Sequence, residues 1–178
     1  IFPTSSVLKR IENSVEHSKI RRVCIQALNY MEVFTHLAAL ITAIKQHVDV
    51  PVSVSCQPLN SENTRRLAEA GAERIGIAID AANEKLFNQI KGASVNNPYT
   101  WENQFKQLRE ALEVFGKGRV STHLIVGLGE TENDVISLIQ RCVDMGVLPA
   151  LFAFTPIRGT ALETKPQPLI ESYRRIQL

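Results

Sequence analysis

Residues His123 to Thr131 read HLIVGLGET: an apolar strand, a turn with two glycines, then a helix start. Parallel α/β folds place ligands at the C-terminal ends of their strands, so this turn marks a position for binding. Gly127 and Gly129 permit positive φ and a close approach to the backbone. Thr131 and Asp134 form a capping-box pattern for the helix that follows. Such a turn aims several N–H groups at one point, which suits an anionic or polar ligand. The same two glycines also suffice for a plain strand-to-helix turn, so both readings stay open here.

The other polar residues at predicted strand ends are Gln26 and Asn29, Ser55 and Gln57, Asp80, then Thr155 and Arg158. Most are neutral hydrogen-bonding groups. One histidine and widely spaced acids do not make a metal-hydrolase centre. No pair of carboxyls is set for acid–base work, and no nucleophile elbow is present. This rim is suited to holding a polar small molecule, with difficult chemistry left to a cofactor. Asp80 either accepts two ribose hydroxyls or caps the helix that starts near Asn83. His123 lies mid-strand and either meets a ligand or sits satisfied in the core. Tyr99 and Trp101 read as a local packing cluster.

Alternating periods position these residues. Strand-like runs cover Arg22 to Leu28, Val52 to Cys56, Arg74 to Asp80, Arg119 to Val126 and Ala150 to Phe154. Helical spacing appears behind the Thr4-Ser5-Ser6 cap signals and in the long run from Val33 to Val48. It recurs from Ser61, taken as a cap, to Gly71, then near Asn83 to Lys91, from Thr100 to Phe115 and from Thr131 to Met145. A last helix follows Pro166 and Pro168. The alternation predicts one α/β domain over residues 1–178, with parallel strands joined by right-handed crossovers. A partial (βα)6 barrel with its first strand lying before Ile1 fits best. An open Rossmann- or flavodoxin-like sheet is the alternative, weakened by the lack of a G-x-G-x-x-G after the first strand. Near-continuous apolar strands predict a sheet covered on both faces.

Composition narrows the class. A net charge of +2 gives no basis for a nucleic-acid or membrane surface. No apolar run is long enough to span a bilayer. Cys24, Cys56 and Cys142 have no C-x-x-C spacing, and an odd count without a secretory signal points to the reducing cytoplasm.

Together, four segments resemble the radical S-adenosylmethionine (SAM) superfamily, and biotin synthase most of all. IVGLGET, Ile125 to Thr131, resembles the fifth-strand motif of biotin synthase. RLAEAG, Arg66 to Gly71, with Ile79-Asp80 beyond it, resembles the ribose-binding strand and its helix. GTAL, Gly159 to Leu162, resembles the segment near adenine, and VCIQALNY, Val23 to Tyr30, the second strand, whose end touches the methionine part of SAM.

The resemblance implies a (βα)6 partial barrel that binds SAM and a [4Fe–4S] cluster. With an external reducing electron donor, such an enzyme splits SAM into methionine and a 5′-deoxyadenosyl radical that abstracts hydrogen from a small-molecule or carrier-bound substrate. Biotin synthase-like or lipoyl synthase-like transferase work in cofactor biosynthesis is the implied setting. Carried over by position, Asp80 binds the ribose, Ile125 and Val126 pack on adenine, and the backbone near Thr155 meets its edge. Ala27 and Leu28 lie beneath methionine, and Gly127 and Glu130 shape the turn. Cys24, Gln26, Ser55, Gln57 and His123 are candidates to line the substrate on position alone.

The departures are specific. The family's Cys-x3-Cys-x2-Cys motif is absent, so the cluster's ligands are expected before residue 1, and these residues alone are expected to bind no metal and to be inactive. Cys24 matches the first ligand of biotin synthase's second cluster, but Ser53 and Ser121 stand at the other two, which removes the basis for that cluster. Ala78 replaces an amide on the ribose strand. An incomplete barrel leaves edges for a homodimer or further segments to cover. Two other functions remain: a cluster-free isomerase or synthase with a phosphate cradle at Gly127–Gly129, and a non-catalytic partner subunit.

Overall fold

The computed structural model describes residues 2–58 and 60–178. Five strands, β1 (Val23–Gln26), β2 (Val52–Ser55), β3 (Arg74–Gly76), β4 (Val120–Val126) and β5 (Leu148–Ala153), form one sheet in the order β1-β2-β3-β4-β5, every neighbour parallel. Sequential order without a reversal is barrel-like; a doubly wound sheet would switch direction in the middle. Helices α1 (Thr4–Glu16), α2 (Val33–His47), α3 (Ser61–Glu69), α4 (Glu84–Ile90), α5 (Trp101–Phe115), α6 (Glu132–Met145) and α7 (Ile170–Gln177) complete the chain.

Strand periodicity decides which face meets the helices. Val52 and Val54, Ile75, and Val120 and Leu124 are buried and pack with Leu37, Ile41 and Ile44 of α2, Leu67 of α3, Phe105 and Leu108 of α5, and Leu138 and Cys142 of α6. The other face carries Ser53, Ser55, Ser121, His123 and Ile125, all half-buried. The expectation of a sheet covered on both faces therefore needs correcting: the outer face is sealed along β2, β3 and β4, and the inner one is half-buried and, apart from Ile125, carries small and polar groups. Gly76 fits there because a Cβ would lie 3.2 Å from Ser121 Oγ.

Several boundaries differ from the sequence reading for local reasons. Asn60, one residue before Ser61, caps α3 by accepting from Asn63 N–H. Pro3 precedes α1 with no side-chain cap, so the Thr4-Ser5-Ser6 signals lie inside the helix. β5 begins two residues early and includes Pro149, which an edge strand tolerates. The third strand is interrupted. Gly76 pairs with Ser121 and Asp80 with Leu124, so four steps along β3's continuation match three along β4. One extra residue is accommodated between them, a bulge of the kind that re-aims side chains near sites. Thr131 and Asp134 form the predicted capping box.

Candidate functional site

A cavity of about 740 Å³ opens at the C-terminal ends of the strands. Gln26 ends β1 and Ala27 follows it on one wall, and Ser55 ends β2 with Gln57 just beyond. Asp80 lies beyond the bulge, His123 and Ile125 come from β4, and Thr155 follows β5. The sequence reading named all eight, and the fold brings them to one space. His123 meets Phe152 edge-on, with ring centroids 5.1 Å apart.

Five named residues lie elsewhere. Cys24 shares the face of Gln26 but sits two residues toward the other end of β1, exposed and off the cavity wall. Leu28 is 84% exposed and does not line the cavity. Val126 is 3% exposed and packs with Ala82, Val135 and Ile176, because it follows Ile125 on a strand and must face the helices. Gly127 and Glu130 line a separate groove beside Lys165 and Pro168. A Cβ on Gly127 would lie 2.7 Å from Pro168 Cδ, so the close approach that glycine permits is made by the chain itself.

The turn also supplies its own anion. Glu130 accepts hydrogen bonds from Gly127 N–H at 2.5 Å and Leu128 N–H at 2.9 Å. The N–H groups that suggested a phosphate cradle are thus satisfied by a carboxylate of this chain.

Around the bulge, backbone and side chains exchange partners. Ile79 N–H leaves the ladder and donates to the buried Thr122 Oγ1 at 3.1 Å. Asp80 rejoins it, donating from its N–H to the His123 carbonyl at 2.9 Å and accepting from Ile125 N–H at 2.8 Å. Asp80 adopts φ 69, left-handed, which Asp tolerates better than most residues. Helix α4 is capped by Asn83, whose Oδ1 accepts from Leu86 N–H, so Asp80 is not the cap.

The Ala78 carbonyl, freed by the bulge, accepts from Gln57 Nε2 at 3.1 Å, Gln104 Nε2 at 2.7 Å and Lys91 Nζ at 2.5 Å. Gln104 also donates to Gln57 Oε1 at 2.9 Å. Lys91 pairs with Asp80 Oδ2 at 2.7 Å and lies 5.7 Å from the centroid of Tyr99. Burial holds the Lys91 ammonium below its usual pKa, and the neighbouring Asp80 carboxylate opposes that shift.

Sequence reasoning missed Lys91, Tyr99 and Gln104. Lys91 entered only as the end of a helix, and Tyr99 with Trp101 as packing; Trp101 does pack on Phe87 and Phe105, while Tyr99 packs against the core and also lines the cavity. A signal for Gln104 did exist. It shares the buried stripe of Leu108, Ala111 and Phe115, where an amide needs a partner.

The three thiols do not form one ligand set: Cys24 is exposed on β1, while Cys56 and Cys142 are buried, where burial pushes them up to about 12 and about 11. Among the described residues, no three His, Cys, Asp or Glu side chains gather to hold a metal. No helix among them is long and apolar enough to cross a membrane.

Comparison with known folds agrees with this architecture. Methylornithine synthase (PylB) superposes with a TM-score of 0.74 at 16% identity, over 97% of this chain and 51% of that one. The [FeFe]-hydrogenase maturase HydG gives 0.72 at 12% identity, over 98% and 41%. Coproporphyrinogen III oxidase (HemN) from Escherichia coli, described as a radical SAM enzyme, gives 0.63 at 16% identity, over 98% and 44%. The chain spans about half the length, or less, of these structures. No curated protein matches the sequence. The radical SAM superfamily model matches residues 3–142, and with the sequential parallel sheet and its cavity this match places the chain in that superfamily.

Proposed function

We propose that this chain is the nucleoside-binding part of a radical SAM enzyme, with the cavity at the strand ends as the SAM site. Enzymes of this family use SAM and a [4Fe–4S] cluster to generate a 5′-deoxyadenosyl radical for hydrogen abstraction. The observation that carries the reading is that Asp80 and Ile125, joined backbone to backbone, wall one cavity at the predicted ligand end of the sheet. Its volume lies within the usual range for small-molecule sites, about 300–1,000 Å³.

The residues present fit the nucleoside. Asp80 Oδ1 has no protein partner among the described residues and is placed to accept a ribose hydroxyl. Ile125 offers an apolar surface to adenine. The backbone at Thr155 lies just past the last ladder bond, from Phe154 N–H to the Val126 carbonyl, and is placed to meet the edge of the base. Ala27 borders the methionine end, with Gln26, Ser55, Gln57 and His123 toward a substrate. The described thiols are not gathered to hold the cluster, so its ligands are assigned to polypeptide outside these residues.

A biotin or lipoyl synthase-like role in cofactor biosynthesis, in a reducing compartment and with an external electron donor, is the finer reading. It rests on the IVGLGET and GTAL segments. Because Ser53 and Ser121 stand where a second cluster of the biotin synthase design would need cysteines, the proposal extends to hydrogen abstraction and not to sulfur insertion. The phosphate-cradle alternative is disfavoured by the carboxylate of Glu130 in the turn.

The test is anaerobic reconstitution of the full-length gene product with iron and sulfide, followed by reduction in the presence of SAM. A [4Fe–4S] absorbance band and 5′-deoxyadenosine are expected. A fully loaded protein that yields no deoxyadenosine overturns the proposal.

A further inference from the structure

Lys91 is unusually placed for a lysine. It follows the last residue of α4, and its side chain is only 12% exposed. Burying an ammonium is costly unless its donors are met. Of its three N–H donors, one goes to Asp80 Oδ2 and one to the Ala78 carbonyl. The second bond is surplus for the carbonyl, whose two lone pairs already receive Gln57 and Gln104. Satisfying Ala78 therefore does not explain why Lys91 is buried.

What the arrangement does produce is an open couple on one cavity wall. Among the described residues, nothing accepts the third donor of Lys91, and nothing donates to Asp80 Oδ1. A free donor and a free acceptor stand side by side, borne by groups 2.7 Å apart. A vicinal diol complements such a couple, since each hydroxyl can donate or accept. An isolated carboxylate would instead have to accept from both hydroxyls and would leave a net negative charge in the cavity. The Lys91–Asp80 pair is neutral overall and presents a dipole.

We propose that Lys91 and Asp80 read the ribose diol jointly, Lys91 donating to one hydroxyl oxygen while Asp80 Oδ1 accepts from the other. This rests on the nucleoside reading of the cavity given above. Lys91 is on this account a ligand-binding residue that sets specificity for ribose over deoxyribose.

Titration calorimetry with S-adenosylhomocysteine and its 2′-deoxy and 3′-deoxy forms tests the assignment without turnover. The parent should bind the diol ligand about tenfold more tightly than either deoxy form, the scale of one hydrogen bond to a charged group. Lys91→Met should weaken the diol ligand about tenfold and leave unchanged the binding of the deoxy form that lacks the hydroxyl Lys91 reads. Lys91→Gln, which keeps a donor for Ala78, gives the same comparison if the methionine variant folds poorly. A parent that binds all three ligands equally overturns the proposal, as does a variant that loses affinity for all three by one common factor. A parent that binds none of them overturns the nucleoside reading itself, an outcome distinct from a loss confined to the Lys91 variants.

Discussion

Removing the carboxylate of Glu130 should open the turn between β4 and α6 both energetically and chemically. Glu130 accepts two backbone N–H bonds, from Gly127 and Leu128, across a turn that Pro168 packs against. Hydrogen bonds to a charged group contribute about 1.5–3 kcal/mol each. Glu130 is half-buried, so the lower end applies, and Glu130→Ala should cost about 2–4 kcal/mol. With a urea m-value of about 1–3 kcal/mol per molar, the unfolding midpoint should fall by about 1–2 M. Glu130→Gln keeps one acceptor oxygen and should lose about half as much. The alanine variant also frees two N–H groups, so sulfate should stabilise it more than the parent, beyond the general salting effect seen in both. Urea denaturation followed by the fluorescence of Trp101, the single tryptophan, measures all three proteins with and without sulfate. An unchanged midpoint for the alanine variant would refute the reasoning, as would a parent that gains as much from sulfate as the variant does.

Two further outcomes follow from the titratable groups. Cys24 should be alkylated by iodoacetamide near pH 8.5 while Cys56 and Cys142 resist, since burial pushes those two thiols up to about 12 and about 11. Peptide mass spectrometry of the native protein reads this directly, and Cys56 reacting as fast as Cys24 would contradict it. Glu132, hydrogen-bonded by Arg175, is held down to about 2 from 4.5, so the link between α6 and α7 is present above pH 4.5 and is lost as pH falls toward 2. The protection of α7 amides, taken relative to the intrinsic exchange rate at each pH, should therefore fall across that window in the parent and fall less in Arg175→Gln. Unchanged protection in the parent would count against the link.

Much of the architecture was legible because burial leaves a period in the sequence. The apolar stripe of Leu37, Ile41 and Ile44, and the alternation along Val120 to Val126, place helices and strands with little ambiguity. The bulge was not legible: Ile75, Ile77 and Ile79 are all buried, so the alternation runs through it unbroken while the pairing slips by one residue. Pairing belongs to two strands, and one strand's pattern does not record it. The strand ends showed which residues could gather at the cavity, but not which neighbours on one strand faced it, as Ile125 and Val126 illustrate. Lys91 lay beyond reach for a different reason. Its role depends on a helix end folding back onto a strand end, whereas its local sequence is that of any basic residue before a glycine.

The left-handed backbone at Asp80 has an evolutionary corollary. Glycine, asparagine and aspartate visit that conformation at smaller cost than most residues, so drift at this position is narrowed toward them before any ligand exerts selection. Invariance of an acid here across relatives would therefore mix two pressures, geometric and chemical. Glycine and asparagine among the survivors would report the first, and their absence would isolate the second.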